Sequence, residues 1–293
     1  MKKKVYIANG FAIVSDVVLF GWEENSNILP EMIVLTMTEG NFPLEYDEKN
    51  WPHIFQKSEN SICFNWGNRL AFLIVNCKDI FYIKESSVHI EEITYALNFV
   101  LSFIALKYDR IALHTCALTR STGSAILILG NSGDGKSTLL YKMLTAKCKF
   151  ISEEICFIYN QGTKPYVFTS NRIIRLNNDM YVKNYNDIHY YSVDKVSFWN
   201  RDFLEAEMLT ELKTIIVLNK NENYNKVVVD KVDKSNMIGM ILDRYLYTKS
   251  AIKWFPFSKI IRILLEIISE VNCYSITYPS FLSADDIELL LHI

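Results

Sequence analysis

Long apolar runs are scarce in this 293-residue chain. The stretch Ile93–Leu106 falls short of the roughly 20 residues that a bilayer span requires, and Glu91, Glu92 and Asp109 flank it. The expectation there is a buried helix, with no membrane partner. The first twenty residues open on three lysines, but Asn9, Gly10, Ser15 and Asp16 interrupt the apolar residues and no small-residue cleavage site follows, which argues against a signal peptide. An excess of one charge is also missing. The 31 Lys and Arg nearly balance the 33 Asp and Glu, for a net charge of -2, so nothing electrostatic marks a nucleic acid partner. None of the six cysteines (63, 77, 116, 148, 156 and 273) forms a C-x-x-C pair, which removes zinc ribbons and dithiol redox centres. Cys116 in IALHTCAL and Cys156 in EEICFI lie in apolar runs, where a thiol packs as a small hydrophobe. All six read as reduced core residues of a cytoplasmic protein. Repeats, low-complexity tracts and Pro/Gly-rich linkers are absent too.

What the chain does have is a folded composition, with 50% apolar and 22% charged residues. The periodicities predict an α/β protein in two parts, a β-rich region over 1–87 and a second domain over 88–293. In the first part, Val5–Ile13, Val17–Phe20, Ile28–Met37, Ser61–Trp66 and Leu70–Val75 read as strands, with Gly67-Asn68 as a hairpin turn. Residues 87–108 carry helix-period apolar positions with acidic residues near the start. Strands are expected at Ile111–Leu118, Ala125–Leu129, Phe150–Tyr159, Leu212–Leu218, Val227–Val229 and Cys273–Tyr278. Helices are expected at Ser137–Thr145, Met237–Tyr247, Ser258–Glu270 and Ser283–Leu291, the last opened by a Ser cap with Asp286 at its third position.

One motif carries chemistry by itself. Gly130-Asn131-Ser132-Gly133-Asp134-Gly135-Lys136-Ser137-Thr138 satisfies G-x-x-x-x-G-K-[ST], between the strand AILIL and a helix-compatible segment. Glycines let the backbone curl so that its N–H groups face phosphates, and the helix adds its positive end. Lys136 is then placed for the β- and γ-phosphates of a nucleoside triphosphate and Ser137 for Mg²⁺. Such a site needs a carboxylate near the metal and, for transfer to a hydroxyl, a base. Glu153 and Glu154 in FISEEICFI are the candidates, because two carboxylates in a buried strand are costly without partners and alternation points one to each face. His114, in the strand before the motif, is a further candidate, although such histidines are more often satisfied core residues.

The run from Leu113 to Ile158 resembles the core of the HPr kinase/phosphorylase superfamily. Shared features are a His-led strand (His114), a turn, a strand, a G-x-S-G-x-G-K-S loop (Gly130–Ser137), a helix and a strand with an acidic pair (Glu153-Glu154). The resemblance extends to the HPr-kinase-like enzymes of lasso and other ribosomal peptide clusters. Their opening is similar to Tyr6-x-x-x-Gly10-Phe-x-Ile13-x-Ser15-Asp16, and their end to CYSITYP…ADDIELLL. It implies a P-loop, HPr-kinase-like (PEP-carboxykinase-like) core behind the N-terminal β-rich region. The implied activity is an ATP- and Mg²⁺-dependent kinase acting on a hydroxyl, a serine of a peptide or small protein. The chain departs from the family in two places. Its acidic pair is Glu-Glu instead of Asp-Asp or Asp-Glu, and it lacks the Gly-rich C-terminal signature of the bifunctional bacterial enzymes, which argues against HPr as acceptor and against phosphorylase activity.

In this scheme Lys136 neutralises phosphate charge, and Glu153 and Glu154 divide metal and base roles in an order left open, Ser137 and Glu153 being the candidate metal ligands. His114 orients the base or acceptor, and Arg172 or Arg175 stabilises the transferred group. A homo-oligomer is left open. Two rivals stand beside the kinase. A GTPase would use Asn219-Lys-Asn-Glu222, but Glu replaces the expected Asp and no D-x-x-G follows the loop helix. A nucleotide-binding regulatory protein or pseudokinase would use Glu-Glu as a mark of lost catalysis.

Overall fold

The computed structural model describes residues 3–25, 27–42, 53–67, 69–120, 123–170, 173–177, 188–191, 195–199, 206–247, 254–279, 283, 286–287 and 290. The chain is mixed α/β and divides into two units, Met1–Tyr108 and Asp109–Ile293.

The first unit contains β1 (Lys4–Ala8), β2 (Phe11–Ser15), β3 (Glu23–Glu24), β4 (Ile33–Glu39), β5 (His53–Ser58), β6 (Ser61–Trp66), β7 (Leu70–Val75), β8 (Asp79–Lys84) and helix α1 (Ile90–Lys107). Its eight-stranded sheet runs β3-β1-β2-β4-β8-β7-β6-β5. The expected strand Val5–Ile13 is two strands, because Asn9 and Gly10 both hold positive φ (59° and 79°) and make the Asn-Gly turn of a tight hairpin. Val17–Phe20 is not a strand. Ser15 Oγ takes the Val17 N–H at 3.1 Å, and Phe20 donates its N–H to Thr94 Oγ1 at 2.9 Å. The strand expected from Ile28 begins at Ile33. Of the expected Gly67-Asn68 turn, Asn68 lies outside the described residues.

Helix α1 packs on this sheet, with the Phe64 ring 5.3 Å from Phe103 and 6.0 Å from Phe99 in edge-to-face arrangements. Arg69 and Glu92 form an ion pair at 2.9 Å, and Asn9 Nδ2 donates to Asn98 Oδ1 at 3.3 Å. A boundary near residue 88 would cut these contacts; the chain divides after the helix instead.

The second unit contains β9 (Ile111–His114), β10 (Cys116–Thr119), β11 (Ala125–Leu129), α2 (Lys136–Thr145), β12 (Lys149–Ser152), β13 (Ile155–Gln161), β14 (Lys164–Phe168), β15 (Ile173–Asn177), β16 (Ile188–Tyr191), β17 (Lys195–Trp199), β18 (Leu209–Lys220), β19 (Val228–Lys231), α3 (Lys234–Met240), α4 (Phe257–Ser269) and β20 (Asn272–Tyr278). Strand β18 is its spine. The first residues of β18 pair antiparallel with β14, and the remainder runs parallel between β11 and β20. Strands β15, β17 and β16 form a separate three-stranded sheet.

Two strands expected to be continuous are broken at matching points. Ile111–Leu118 breaks at Thr115, and Phe150–Tyr159 breaks at Glu153-Glu154. On one side of the break β10 pairs with β12, and on the other β9 pairs with β13. Thr115 N–H donates to Glu154 O across the break at 3.2 Å.

Helix α2 buries Leu139, Leu140, Met143 and Leu144 in one core with Ile126, Ile128, Ile216, Leu218 and Ile276. The helix expected over Met237–Tyr247 is α3 followed by a π-helical turn, Ile241–Tyr245. Leu246 then bridges Leu113, and Tyr247 N–H donates to Ala112 O at 3.1 Å. The C-terminal cap is as expected, since Ser283 N–H donates to Asp286 Oδ2 at 2.8 Å and Asp286 N–H to Ser283 Oγ at 3.2 Å. All six cysteines are free thiols, five buried and Cys77 half-buried. Among the described residues no helix is long and apolar enough to cross a membrane.

Phe103 is fully packed between α1 and the first sheet. Phe103→Ala should therefore destabilise the first unit by about 3–5 kcal/mol, read as a lower urea midpoint for that unit's far-ultraviolet transition. An unchanged midpoint would contradict the packing.

Candidate functional site

Strand β11 is buried along its whole length, so the chain leaving it must turn sharply to enter α2. Gly133 and Gly135 make that turn with φ of +90° and +78°, a region that L side chains avoid. Gly135 is the residue capping α2.

The loop is held by its own polar groups. Asp134 Oδ2 accepts the Asn131 N–H at 2.6 Å, and Asp134 N–H donates to Asn131 O at 3.2 Å. The Lys136 ammonium donates to Gly130 O at 2.8 Å and to Asn131 O at 3.1 Å. It is 8% exposed, so a cation sits within the loop instead of extending into solvent. Asn131, Ser132 and Gly133 are exposed, while Ser137 and Thr138 are half-buried at the start of α2.

The break in the β9–β10 and β12–β13 pair lies beside this loop. Ser137 Oγ donates to Glu153 Oε1 at 2.6 Å, which joins the hydroxyl at the start of α2 to a carboxylate. Glu153 and Glu154 are both half-buried. The expectation that they lie inside a strand is corrected. They form the bend between β12 and β13, where each carboxylate keeps access to water and avoids the cost of full burial.

Cys116 lies beneath, its thiol on Glu153 O at 2.8 Å. Burial, followed by the Glu153 charge, pushes that thiol well above its ordinary pKa, so it remains a neutral donor. His114 ends β9 opposite Ile155, half-buried and stacked on the Tyr247 ring at 6.4 Å between centroids. Arg175 lies on β15, with its side chain outside what is described, and Arg172 lies outside the described residues.

Asn219 serves the fold. Its Nδ2 donates to Ser275 Oγ on β20 at 2.8 Å, and Asn221 N–H donates to Tyr278 O at 2.9 Å, so NKNE closes the turn after β18.

Two tyrosines were not legible as site residues. Tyr247 reaches His114 because the π-helical turn delivers it to β9. Tyr278, the last residue of β20, donates its hydroxyl to Asp134 O. Burial, then the Asp134 charge, pushes the Tyr278 phenol up to about 12, so it stays a donor at neutral pH. No spacing rule connects position 278 to position 134.

No protein-family model matches the chain, and no curated protein does. Among solved structures, the HPr(Ser) kinase/phosphatase from Coxiella burnetii is similar over 62% of this chain and 86% of that chain, at 12% identity and a TM-score of 0.36. The relationship is a distant one of fold alone, and it carries no activity or residue role to this chain.

A Cβ placed on Gly135 would lie 2.5 Å from the Tyr278 hydroxyl. Gly135→Ala should cost about 1–3 kcal/mol from backbone strain and this clash. Removing the hydroxyl with Tyr278→Phe should recover part of it, giving a coupling of at least about 0.5 kcal/mol in a double-mutant cycle read by thermal unfolding. Strictly additive effects would contradict the contact.

Proposed function

We propose that this chain is an ATP- and Mg²⁺-dependent kinase that transfers a phosphoryl group to a hydroxyl, with a serine of a peptide or small protein as acceptor. The observation that carries this reading is the 2.6 Å contact between Ser137 Oγ and Glu153 Oε1, at the end of a glycine loop holding an almost buried ammonium.

The residues fit the donor. A loop with two left-handed glycines, followed by a helix start, presents backbone N–H groups to an anion. Lys136 supplies compensating positive charge, as phosphate oxygens require. The Ser137 hydroxyl and Glu153 carboxylate are hard oxygen donors, few in number, which suits a magnesium ion that keeps most of its other positions for phosphate and water. When bound, ATP would supply the phosphoryl group and the magnesium ion would draw negative charge from its phosphate oxygens.

The remaining chemistry belongs to the protein. Glu153 already contacts the Ser137 hydroxyl, so the metal role falls to it and the base role to Glu154, across the same bend. Glu154 takes the proton of the acceptor hydroxyl as its oxygen bonds to phosphorus and the bond to the departing diphosphate oxygen breaks. His114, held against Tyr247, lines the acceptor side and orients that hydroxyl. Arg175 is kept as the candidate for charge stabilisation.

Three measurements test this. Lys136→Ala should abolish tight Mg·ATP binding in a calorimetric titration at a stability cost of only about 1–2 kcal/mol. Unchanged affinity in the folded variant would exclude the loop. Glu153→Gln and Glu154→Gln should each lower single-turnover phosphotransfer from γ-labelled ATP by roughly 10²–10⁴. The loss in Glu153→Gln should deepen at low Mg²⁺, while Glu154→Gln should flatten the pH profile. If both variants match the parent, the pair is structural and the protein binds nucleotide without using it. Asn219→Ala should leave the ATP over GTP preference unchanged while costing about 1 kcal/mol of stability; strong GTP selectivity lost in that variant would favour a guanine-reading protein.

A further inference from the structure

A loop built on Gly130, Gly133 and Gly135 has many conformations available, and its internal bonds tie it only to itself. Asp134 Oδ2 to Asn131 N–H, and Lys136 Nζ to Gly130 O and Asn131 O, all join residues within six positions of one another. Tyr278 adds a tie from outside. Its ring is packed in the same core as Leu139, Leu140 and Leu218, its carbonyl receives the Asn221 N–H, and its hydroxyl donates to Asp134 O. The anchor is therefore fixed by the sheet and by α2 before it touches the loop.

The peptide joining Asp134 to Gly135 is planar and trans, so its N–H points opposite to its C=O. A donor that fixes the direction of the Asp134 carbonyl also fixes the direction of the Gly135 N–H. The Tyr278 hydroxyl also approaches Gly135 so closely that a Cβ there would lie 2.5 Å from it.

We infer that Tyr278 is a positioning residue for phosphate binding, its hydroxyl aiming the Gly135 N–H by holding the Asp134 carbonyl. The inference rests on the reading of Gly130–Thr138 as a nucleotide loop. Its effect is on affinity for the phosphate chain and passes through backbone orientation, since the Tyr278 hydroxyl is occupied by the carbonyl. The end of β20 and the turn after β18 thereby become part of the nucleotide site.

The test is Tyr278→Phe, which keeps the ring in the core and removes the hydroxyl, examined with and without nucleotide. In the nucleotide-free protein, the amides of Gly133–Ser137 should exchange several-fold faster than in the parent, with the amides of β11 unchanged. Calorimetric titration should show Mg·ATP affinity weakened roughly 3- to 10-fold, the range expected for one hydrogen bond. Thermal stability should change by only a few degrees. If the parent binds Mg·ATP and the variant binds it equally well, the positioning role is overturned, whatever happens to stability. If the parent binds no Mg·ATP, the nucleotide reading itself fails, and unchanged loop exchange in the variant would overturn the tie as well.

Discussion

Adjacent carboxylates in an apolar strand are expensive to bury, and the second unit is arranged around that cost. Glu153 and Glu154 sit at a break that divides β12 from β13, matched by the break at Thr115 between β9 and β10. The strand pair changes partners there instead of continuing straight. A bend made for solvation reasons becomes the place where side chains from several elements converge. His114 ends one strand, Ser137 begins a helix, and a carboxylate meets the hydroxyl at 2.6 Å. The floor beneath is Cys116, neutral and fully buried.

The loop beside this bend is over-determined. It leaves a wholly buried strand and enters a helix whose apolar side is locked in the core. Its glycines supply conformations that other residues avoid, and Lys136 and Asp134 close it from within. Tyr278 holds it from the neighbouring strand. A phosphate-binding loop gains from such preorganisation, because the ordering of its amides is settled before a ligand arrives.

Much of this was legible in the residues. The spacing from Gly130 to Thr138, the apolar AILIL before it and the acidic pair beyond α2 were enough to find the loop and name its candidate partners. The helix over residues 87–108 and the Ser283–Asp286 cap were likewise readable from local pattern. Other features depended on tertiary pairing. The break at Thr115 has no local sequence signature, whereas the break at Glu153-Glu154 has one in the acidic pair itself, although the apolar residues on both sides read as a single strand. The Asn9-Gly10 pair does carry the local signal of a tight hairpin turn within the run Val5–Ile13. Tyr247 and Tyr278 reach His114 and Asp134 from more than a hundred positions away in sequence, through a π-helical turn and a parallel strand that periodicity does not reveal. The short strands β5 and β8 mix polar and apolar residues and become strands through their neighbours.

The central claim is that the loop between β11 and α2 cradles a triphosphate while Ser137 and Glu153 hold its metal. A crystal structure with magnesium and a non-hydrolysable ATP analogue tests this most directly. The account predicts phosphate oxygens within hydrogen-bond distance of the backbone N–H groups of the loop, and a metal at about 2.0–2.1 Å from Ser137 Oγ, bonded to Glu153 directly or through one water. Phosphates bound elsewhere on the protein, or a metal remote from both residues, would contradict it.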